Sequence, residues 1–262
     1  MITAGFDIGT RAFKICLVED TRLLSCVCRL ADRNLEQSIR DCYKQLLAGQ
    51  SLSRRQVNKA IATGYGANLV TYAAYELSEP ACLARAAHQF DPGLSTLIDI
   101  GALFIRIVKI DENGFLEDSD VNEPCAAGSG KFLELVAEAL AVSFEDISTI
   151  ARRSLRPYAI TSTCAVFAES EIISQINAGV ASQDILAGAL DALVSKVQAL
   201  LGKAGDIGKK LALTGGVAKI PALREKLATA LDKDLIAPPL DPQLIPAYGA
   251  ALLAQGRSRR RP

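Results

Sequence analysis

The sequence predicts an α/β fold built from two sheets of ribonuclease-H type, and three observations support this prediction. The tripeptide Asp-Ile-Gly occurs at residues 7–9 and again at residues 99–101, each time between two apolar, strand-like runs. In each half a third strand-like run follows, and helical patterns come after it. Three strands followed by helices, repeated in two halves of one chain, are typical of this architecture.

The two Asp-Ile-Gly turns also indicate what the fold binds. A tight turn containing glycine lets backbone N–H groups approach phosphate oxygens, and the preceding aspartate can hold a metal-bound water. Two such turns facing each other would grip one nucleotide, so the sequence predicts a nucleotide cleft between the two halves. A single Asp-Ile-Gly would be an ordinary hairpin turn, and only the repetition favours the phosphate clamp.

Apolar runs and helical periodicity predict the elements of the first half. Asn34 is a candidate N-cap for a helix, and Pro80 is expected to break the long helical stretch that contains it. The Asp-Pro-Gly turn at residues 91–93 is the candidate crossing between domains. The predicted elements are strands at 2–6, 13–18, 23–30 and 59–63, a helix at 35–47, and a helical stretch from 69 to about 90.

The second half is predicted from the same signals. A strand at 210–213 leads into Thr-Gly-Gly at residues 214–216, and Pro221 is expected in the first turn of the next helix. The closing helix at 246–254 is expected to pack back on the first domain. The predicted domains are therefore 1–92 plus about 245–262, and 93–244. The other elements are strands at 94–98, 105–110 and 114–120 and helices at 128–140, 143–152, 164–178 and 182–202.

Composition narrows the class of protein. The chain has 262 residues, of which 50% are hydrophobic, and its formal net charge is zero. Four of the 29 basic residues form a tail that is expected to be solvated, so the remainder is mildly acidic and no nucleic-acid partner is predicted. No long apolar span or charged leader is apparent, which favours a cytoplasmic protein without a membrane segment. The tail residues are Arg257, Arg259, Arg260 and Arg261.

Two of the seven cysteines stand apart from the rest. Cys125 precedes a small-residue loop that feeds a helix, and Cys164 opens another helix. Helix N-termini favour the thiolate, which is the form that binds metal. Two thiolates are half of a four-ligand site, so a second subunit could supply the rest; two more buried cysteines are an equal alternative. The remaining cysteines are predicted to be core or surface fillers, namely Cys16, Cys26, Cys28, Cys42 and Cys82.

Two segments, 125–133 (CAAGSGKFL) and 161–172 (TSTCAVFAESEI), carry a resemblance to a known family. They resemble the signatures of the ATP-dependent activases, which are activators of 2-hydroxyacyl-CoA dehydratases and ATP-binding subunits of benzoyl-CoA reductase. The resemblance covers nearly the whole chain. The other matching motifs lie at residues 7–10, 63–66, 98–101, 214–217 and 248–251.

The resemblance implies an ATPase fold of the actin, hexokinase and Hsp70 type. It also implies a dimer that holds one [4Fe-4S] cluster at its interface, with Cys125 and Cys164 of each subunit as ligands. Such proteins take an electron from ferredoxin or flavodoxin and use ATP to pass it, at low potential, to an acyl-CoA reductase or dehydratase.

One departure from the family pattern concerns the second Asp-Ile-Gly motif. Dehydratase activators usually continue with Gly-Gln-Asp, whereas this chain has Ala102, Leu103 and Phe104. Apolar side chains cannot orient an attacking water or bind a metal. The pattern therefore resembles one of the two unlike ATP-binding subunits of benzoyl-CoA reductase, whose companion keeps Gln-Asp. This predicts a pseudo-symmetric heterodimer, and a self-sufficient homodimeric dehydratase activator is the alternative.

The resemblance and the turns together nominate site residues for ATP or ADP with Mg²⁺. Asp7, Asp99 and Glu169 are the candidate catalytic residues; Glu171 lies two positions on, so the two do not share a helix face, and Glu169 is the one expected at the cleft. Lys14 has a solvated strand position as its alternative. The candidate nucleotide-binding residues are Gly9, Thr10, Lys14, Gly101, Gly128, Ser129, Gly130, Gly215 and Gly216.

Two functions of other classes remain open. A sugar or acyl kinase, or a nucleotide-gated scaffold, would use the same fold, although Ala102, Leu103 and Phe104 supply no catalytic base. A structural zinc ion bound by four cysteines at a dimer axis is the other alternative.

Overall fold

The computed structural model describes residues 1–122, 129–161 and 165–256. Cys125, Gly128, Cys164 and the arginine tail lie outside the described residues. The chain divides into two compact units. The first comprises Met1–Leu94, Val108–Asp118 and Pro238–Pro262, and the second comprises Ser95–Ile107 and Ser119–Ala237. The predicted domain boundaries, near residues 92 and 245, stay a prediction.

The first unit is built on a five-stranded sheet of order β3-β2-β1-β4-β5. Its two leading strands form the predicted hairpin around the first Asp-Ile-Gly, and β4 lies parallel to β1, with Asp7 opposite Thr63. The strands are β1 (Ile2–Ile8), β2 (Ala12–Glu19), β3 (Arg22–Leu30), β4 (Lys59–Thr63) and β5 (Tyr75–Glu76). Strand β2 pairs antiparallel with both β1 and β3.

Helices α1 (Leu35–Gly49), α2 (Glu79–Phe90) and α8 (Ile245–Gly256) also belong to the first unit. The predicted helical stretch from residue 69 to about 90 is wrong in its first half, because residues 75–76 pair with β4 as the edge strand β5. Pro80 lies in the first turn of α2, where proline needs no N–H partner, so it marks the start of that helix rather than a break.

Helix α8 approaches its neighbours closely at two glycines. A Cβ atom added at Gly5 of β1 would overlap the Ala247 carbonyl oxygen, and one added at Gly249 would overlap the Cys82 carbonyl oxygen in α2. The helix is buried along nearly its whole length and packs against β1, β4 and α2. Backbone-to-backbone contact of this kind requires glycine on one side.

The second sheet has the order β10-β9-β6-β7-β8, in which β6 and β9 are parallel. Two of its strands end at the predicted turns, at residues 99–101 and 214–216. The strands are β6 (Thr96–Ile100), β7 (Ile105–Ile110), β8 (Leu116–Val121), β9 (Leu211–Thr214) and β10 (Leu235–Ile236). The helices of the second unit are α3 (Gly130–Ala139), α4 (Ile147–Ala151), α5 (Ala165–Asn177), α6 (Ser182–Ala204) and α7 (Pro221–Leu231).

Helix α6 is the central core helix of the second unit. Its length and mean hydropathy would suffice to cross a bilayer, but 61% of its most apolar window is buried inside the protein. Leu190, Leu193 and Val197 are fully buried in the same aliphatic cluster as Ile98 and Leu213 of the sheet. Burial against other protein elements explains the apolar composition of this helix, which is the one candidate span found among the described residues.

Candidate phosphate-binding loops

The first Asp-Ile-Gly forms a tight hairpin turn that closes with a hydrogen bond from Gly9 N to Ala12 O, at 3.1 Å. Asp7 lies just before the turn and is 1% exposed, and Lys14 stands opposite it in the register of β1 and β2. The Lys14 Nζ atom donates to Asp7 Oδ2 at 2.9 Å. The sequence alternative of a solvated lysine is therefore wrong, because the Lys14 side chain is 13% exposed.

The contact with Asp7 keeps Lys14 positively charged although its side chain is largely buried. Burial alone would lower the pKa of Lys14, but the charge and hydrogen bond of Asp7, with smaller contributions from Glu79 and Cys28, together outweigh it. The net pKa therefore lies above its ordinary value and the ammonium stays protonated. Asp7 Oδ1 has no hydrogen-bond partner among the described residues, although it is buried. A buried carboxylate oxygen without a donor is suited to a hydrated cation.

The second Asp-Ile-Gly repeats this arrangement within the second unit. Gly101 N donates to Phe104 O at 2.8 Å and closes the turn. Asp99 is 3% exposed, and its Oδ2 atom forms an ion pair with Arg106 Nη1 at 3.5 Å. Thr214 Oγ1, at the end of the parallel strand β9, donates to Asp99 Oδ1 at 3.1 Å. Arg106 also lies over the Phe104 ring, 4.8 Å from its centre.

Spacing along the chain shows that the two loops are equivalent. In each, a cation seven residues after the aspartate lies on the second strand of the hairpin and pairs with it: Lys14 with Asp7 and Arg106 with Asp99. The parallel neighbouring strand ends in Thr-Gly in both units, opposite the aspartate. Sequence reasoning missed Arg106 and Thr214; the shared seven-residue spacing was the signal that could have found Arg106.

Gly64 and Gly215 occupy matching positions, with φ of +87° and +86°. A Cβ atom at Gly64 would come within 2.5 Å of Asp7 Oδ1, and one at Gly215 would overlap the Ile100 carbonyl oxygen. Each glycine thus lets the backbone after the parallel strand pass directly against the Asp-Ile-Gly loop. Gly216 follows as the first residue of a short 3₁₀ turn, Gly216–Lys219.

Replacing Gly215 with alanine is expected to destabilise the protein by at least about 3 kcal/mol, because strain at positive φ adds to the overlap with Ile100. The control is Gly179→Ala, at a similar φ of +80° where an added Cβ would meet nothing within 4 Å. That control should cost only about 1–2 kcal/mol. Urea unfolding of the two variants measures the difference, and equal losses would show that close packing at Gly215 carries no weight.

Helix α3 begins directly on the second loop. Gly130 N donates to Gly101 O at 2.9 Å, and Lys131 N donates to Ala102 O, also at 2.9 Å. Ser129 is fully buried, and its Oγ atom donates to the same Ala102 oxygen at 2.6 Å. The predicted nucleotide ligands Ser129 and Gly130 therefore contact the loop backbone, so that movement of the loop would be transmitted to α3.

Glu169 and Glu171 of α5 differ in their surroundings. Glu169 is exposed, whereas Glu171 Oε1 accepts hydrogen bonds from the Tyr158 hydroxyl and from both N and Oγ1 of Thr161, at 3.0–3.1 Å. Glu171 thus fixes the segment that leads to residue 161. The two glutamates do point in different directions, as their spacing predicts, and the assignment of Glu169 to the nucleotide site stays a prediction.

The remaining predicted site residues are placed as follows. Gly9 and Thr10 form the first turn, where Thr10 is exposed. Cys125, Gly128 and Cys164 lie outside the described residues, and within the described ranges no three His, Cys, Asp or Glu side chains come together as a metal site. Helix α3 begins at Gly130, five residues after Cys125, and helix α5 begins at Ala165, directly after Cys164.

Comparison with known proteins connects these loops to a family of ATPases. Residues 4–254 match the model of the BadF/BadG/BcrA/BcrD ATPase family. The structure of component A of (R)-2-hydroxyglutaryl-CoA dehydratase from Acidaminococcus fermentans superimposes with a TM-score of 0.91 at 32% identity, covering 98% of both chains. The activator of 2-hydroxyisocaproyl-CoA dehydratase from Clostridium difficile, solved with bound ADPNP, gives 0.89 at 30% identity and covers all of both chains.

A third relative comes from the other branch of the predicted family. One of the benzoyl-CoA reductase subunits of Thauera aromatica is 30% identical over 90% of this chain and 85% of its own length. The predicted α/β fold of the actin and sugar-kinase type is confirmed by the structural matches. The chain belongs to the BadF/BadG/BcrA/BcrD ATPase family.

Proposed function

We propose that this chain is an ATP-dependent electron activase, which binds Mg-ATP and passes low-potential electrons through a [4Fe-4S] cluster to an acyl-CoA reductase or dehydratase. The observation that carries the proposal is the duplicated buried pair, Asp7 with Lys14 and Asp99 with Arg106, each set at a glycine turn. Family membership supports it, as do relatives that include dehydratase activators and one component of benzoyl-CoA reductase.

Nucleotide binding is assigned to both loops. In the first, the backbone at Thr10 and the Lys14 ammonium would contact phosphate, with Gly9 allowing its close approach, while Asp7 Oδ1 would hold a water of the magnesium ion. Asp7 fits this role because that buried oxygen has no partner among the described residues. In the second loop, Gly101 would allow phosphate to approach the backbone, Asp99 would hold a water of the magnesium ion, and Gly216 would leave room for the sugar and base.

The cluster is assigned to Cys125 and Cys164, whose thiolates are the ligand type that iron–sulfur clusters require. Two thiolates from one chain are half of the set, so the proposal includes a second subunit. The cluster would supply one-electron transfer. What this chain adds is the connection between its two sites: Ser129 and Gly130 tie α3, which follows Cys125, to the second phosphate loop.

The partner is proposed to be a related subunit rather than a second copy. Leu103 and Phe104 occupy the turn where a dehydratase activator usually carries Gln and Asp, and both are half-buried and apolar. Phe104 instead supports Arg106 over its ring face. A self-sufficient homodimeric dehydratase activator is the second candidate, favoured by the match to such activators over the full length of the chain.

Expressed alone, the chain is expected to bind ATP and hydrolyse it slowly, and to reach full cluster occupancy and turnover only with a relative that retains Gln-Asp. The triple variant Ala102→Gly, Leu103→Gln, Phe104→Asp should raise the turnover of the single chain by about tenfold or more, since general-base catalysis typically contributes at least that factor. Iron content and ATP turnover are compared for all three preparations. If the homodimer has full cluster occupancy and the same ATP turnover as the mixed complex, the heterodimer proposal is wrong and the chain is a self-sufficient homodimeric activator.

A further inference from the structure

Three cysteines lie on one face of the first sheet, away from the proposed cluster ligands. Cys16 in β2 stands directly opposite Cys26 in β3, and Cys28 stands opposite Lys14 in the next row. Residues directly opposite each other in an antiparallel pair project to the same side, as do residues two apart on one strand. The side chains of Cys16, Cys26 and Cys28 therefore share a face.

Contacts with one neighbouring segment confirm this common orientation. Cys16 Sγ lies 3.9 Å from the Leu244 carbonyl oxygen, and Cys28 Sγ lies 3.7 Å from Gln243 Oε1. Residues 243 and 244 thus contact two of the three thiols, those of Cys16 and Cys28. Cys16 is completely buried, whereas Cys26 and Cys28 are exposed.

The register sets the distance between the first two cysteines. Opposite residues in an antiparallel pair have Cα atoms about 4.5 Å or 5.5 Å apart, depending on the type of pair, and disulfides span about 4.4–6.8 Å. Both values fall inside that range. A bulge in β3 starts one pair further along, between Leu17 and Val18, and gives the strands local freedom to adjust. Cys28 is opposite Lys14 and can reach Cys16 only along a diagonal.

We propose that Cys16 and Cys26 form a reversible cross-strand disulfide when the protein meets a low-molecular-weight disulfide oxidant. The exposed Cys26 thiolate attacks the oxidant, breaking its S–S bond and releasing one thiol. Cys16 then attacks Cys26 Sγ and releases the second. Two protein S–H bonds are lost and one S–S bond forms, while the oxidant gains two electrons and two protons as two thiols.

The bond would couple oxidant exposure to the first phosphate loop. Cys16 lies two residues after Lys14 on β2, and Lys14 holds Asp7 at the turn. A covalent link to the edge strand β3 would restrict β2 next to this pair. Partial desolvation, with a smaller contribution from Asp241, raises the pKa of the Cys26 thiol, and complete burial raises the pKa of Cys16 further. Exchange is therefore slow at neutral pH and incubation must be long.

Trypsin separates the two cysteines, which makes the test direct. Cleavage after Lys14, Arg22 and Arg29 places Cys16 in the peptide 15–22 and both Cys26 and Cys28 in the peptide 23–29. Full-length protein is incubated with oxidised glutathione, alkylated, digested without reductant and analysed by mass spectrometry. We expect a linked 15–22/23–29 peptide that dithiothreitol separates, together with the loss of two free thiols.

Two matched variants assign the partner. The linked peptide should persist in Cys28→Ser and disappear in Cys26→Ser, while circular dichroism confirms that both variants are folded. No linked peptide in the wild-type protein after prolonged incubation would overturn the proposal. A linked peptide that survives in Cys26→Ser would overturn it as well, because the bond would then run through Cys28.

Discussion

The iron content of protein carrying Cys164→Ser, purified without oxygen, is expected to be lower than that of the wild type by roughly tenfold or more. Serine cannot supply the thiolate that an iron–sulfur cluster needs. The substitution removes one of the four ligands in the proposed complex with a related subunit, and two of the four in the alternative homodimer. Cys125→Ser should have the same effect, and both should weaken dimerisation. Iron content per dimer and sedimentation measure these outcomes.

Cys26→Ser is the control for this experiment, because Cys26 is an exposed strand residue and should be neutral for iron and for dimerisation. An absorbance spectrum separates the cluster from the zinc alternative. A broad brown absorbance that dithionite bleaches supports the cluster, whereas a colourless dimer containing zinc removes the electron-transfer proposal. Full iron retention in Cys164→Ser would contradict the assignment of Cys164 as a cluster ligand.

Asp7→Asn should weaken Mg-dependent nucleotide binding by at least about tenfold, or ~1.4 kcal/mol, because the amide keeps the shape of the side chain but loses the charge that holds the hydrated cation. Asparagine is the informative replacement. Its oxygen can still accept from Lys14 Nζ, whereas alanine would leave a buried ammonium without a partner and cost about 3–5 kcal/mol of stability.

Calorimetric titration with ADP, performed with magnesium and again with EDTA, gives the decisive comparison. The gap between wild type and Asp7→Asn should close in EDTA if Asp7 acts through the metal. Asp20→Asn is the surface control, since Asp20 is an exposed residue that pairs with the N-terminus. Unchanged affinity in magnesium would mean that the first Asp-Ile-Gly is only a hairpin turn.

The parts of the fold that depend on local signals could be predicted from the sequence. Both hairpins followed from Asp-Ile-Gly between apolar runs, and the helix beginning at Pro221 followed from the preference of proline for the first turn. Edge strand β5 could not be predicted in this way. Its two residues, Tyr75 and Glu76, are strand only because β4 offers backbone groups for pairing beside them.

The candidate site divides in the same way. The aspartates and glycines of the two loops could be predicted because each belongs to a short motif. Arg106 could have been found only by comparing the two repeats, because it shares the seven-residue spacing of Lys14 from its aspartate. Thr214 could not be predicted, because it reaches Asp99 through the pairing of distant strands. The role of Glu171 depends on where residues 158–161 pack, which periodicity along α5 does not reveal.

The close contacts of α8 have a consequence for how the protein is made. Gly5 and Gly249 bring α8 against β1 and α2, so the first unit needs residues that are synthesised about 150 positions after its own first segment. At a translation rate of about 5–20 residues per second, the early strands wait roughly 8–30 s before that helix exists. During this interval the apolar surface around Gly5 has no native cover. The core of the first unit therefore cannot be completed until α8 has been synthesised.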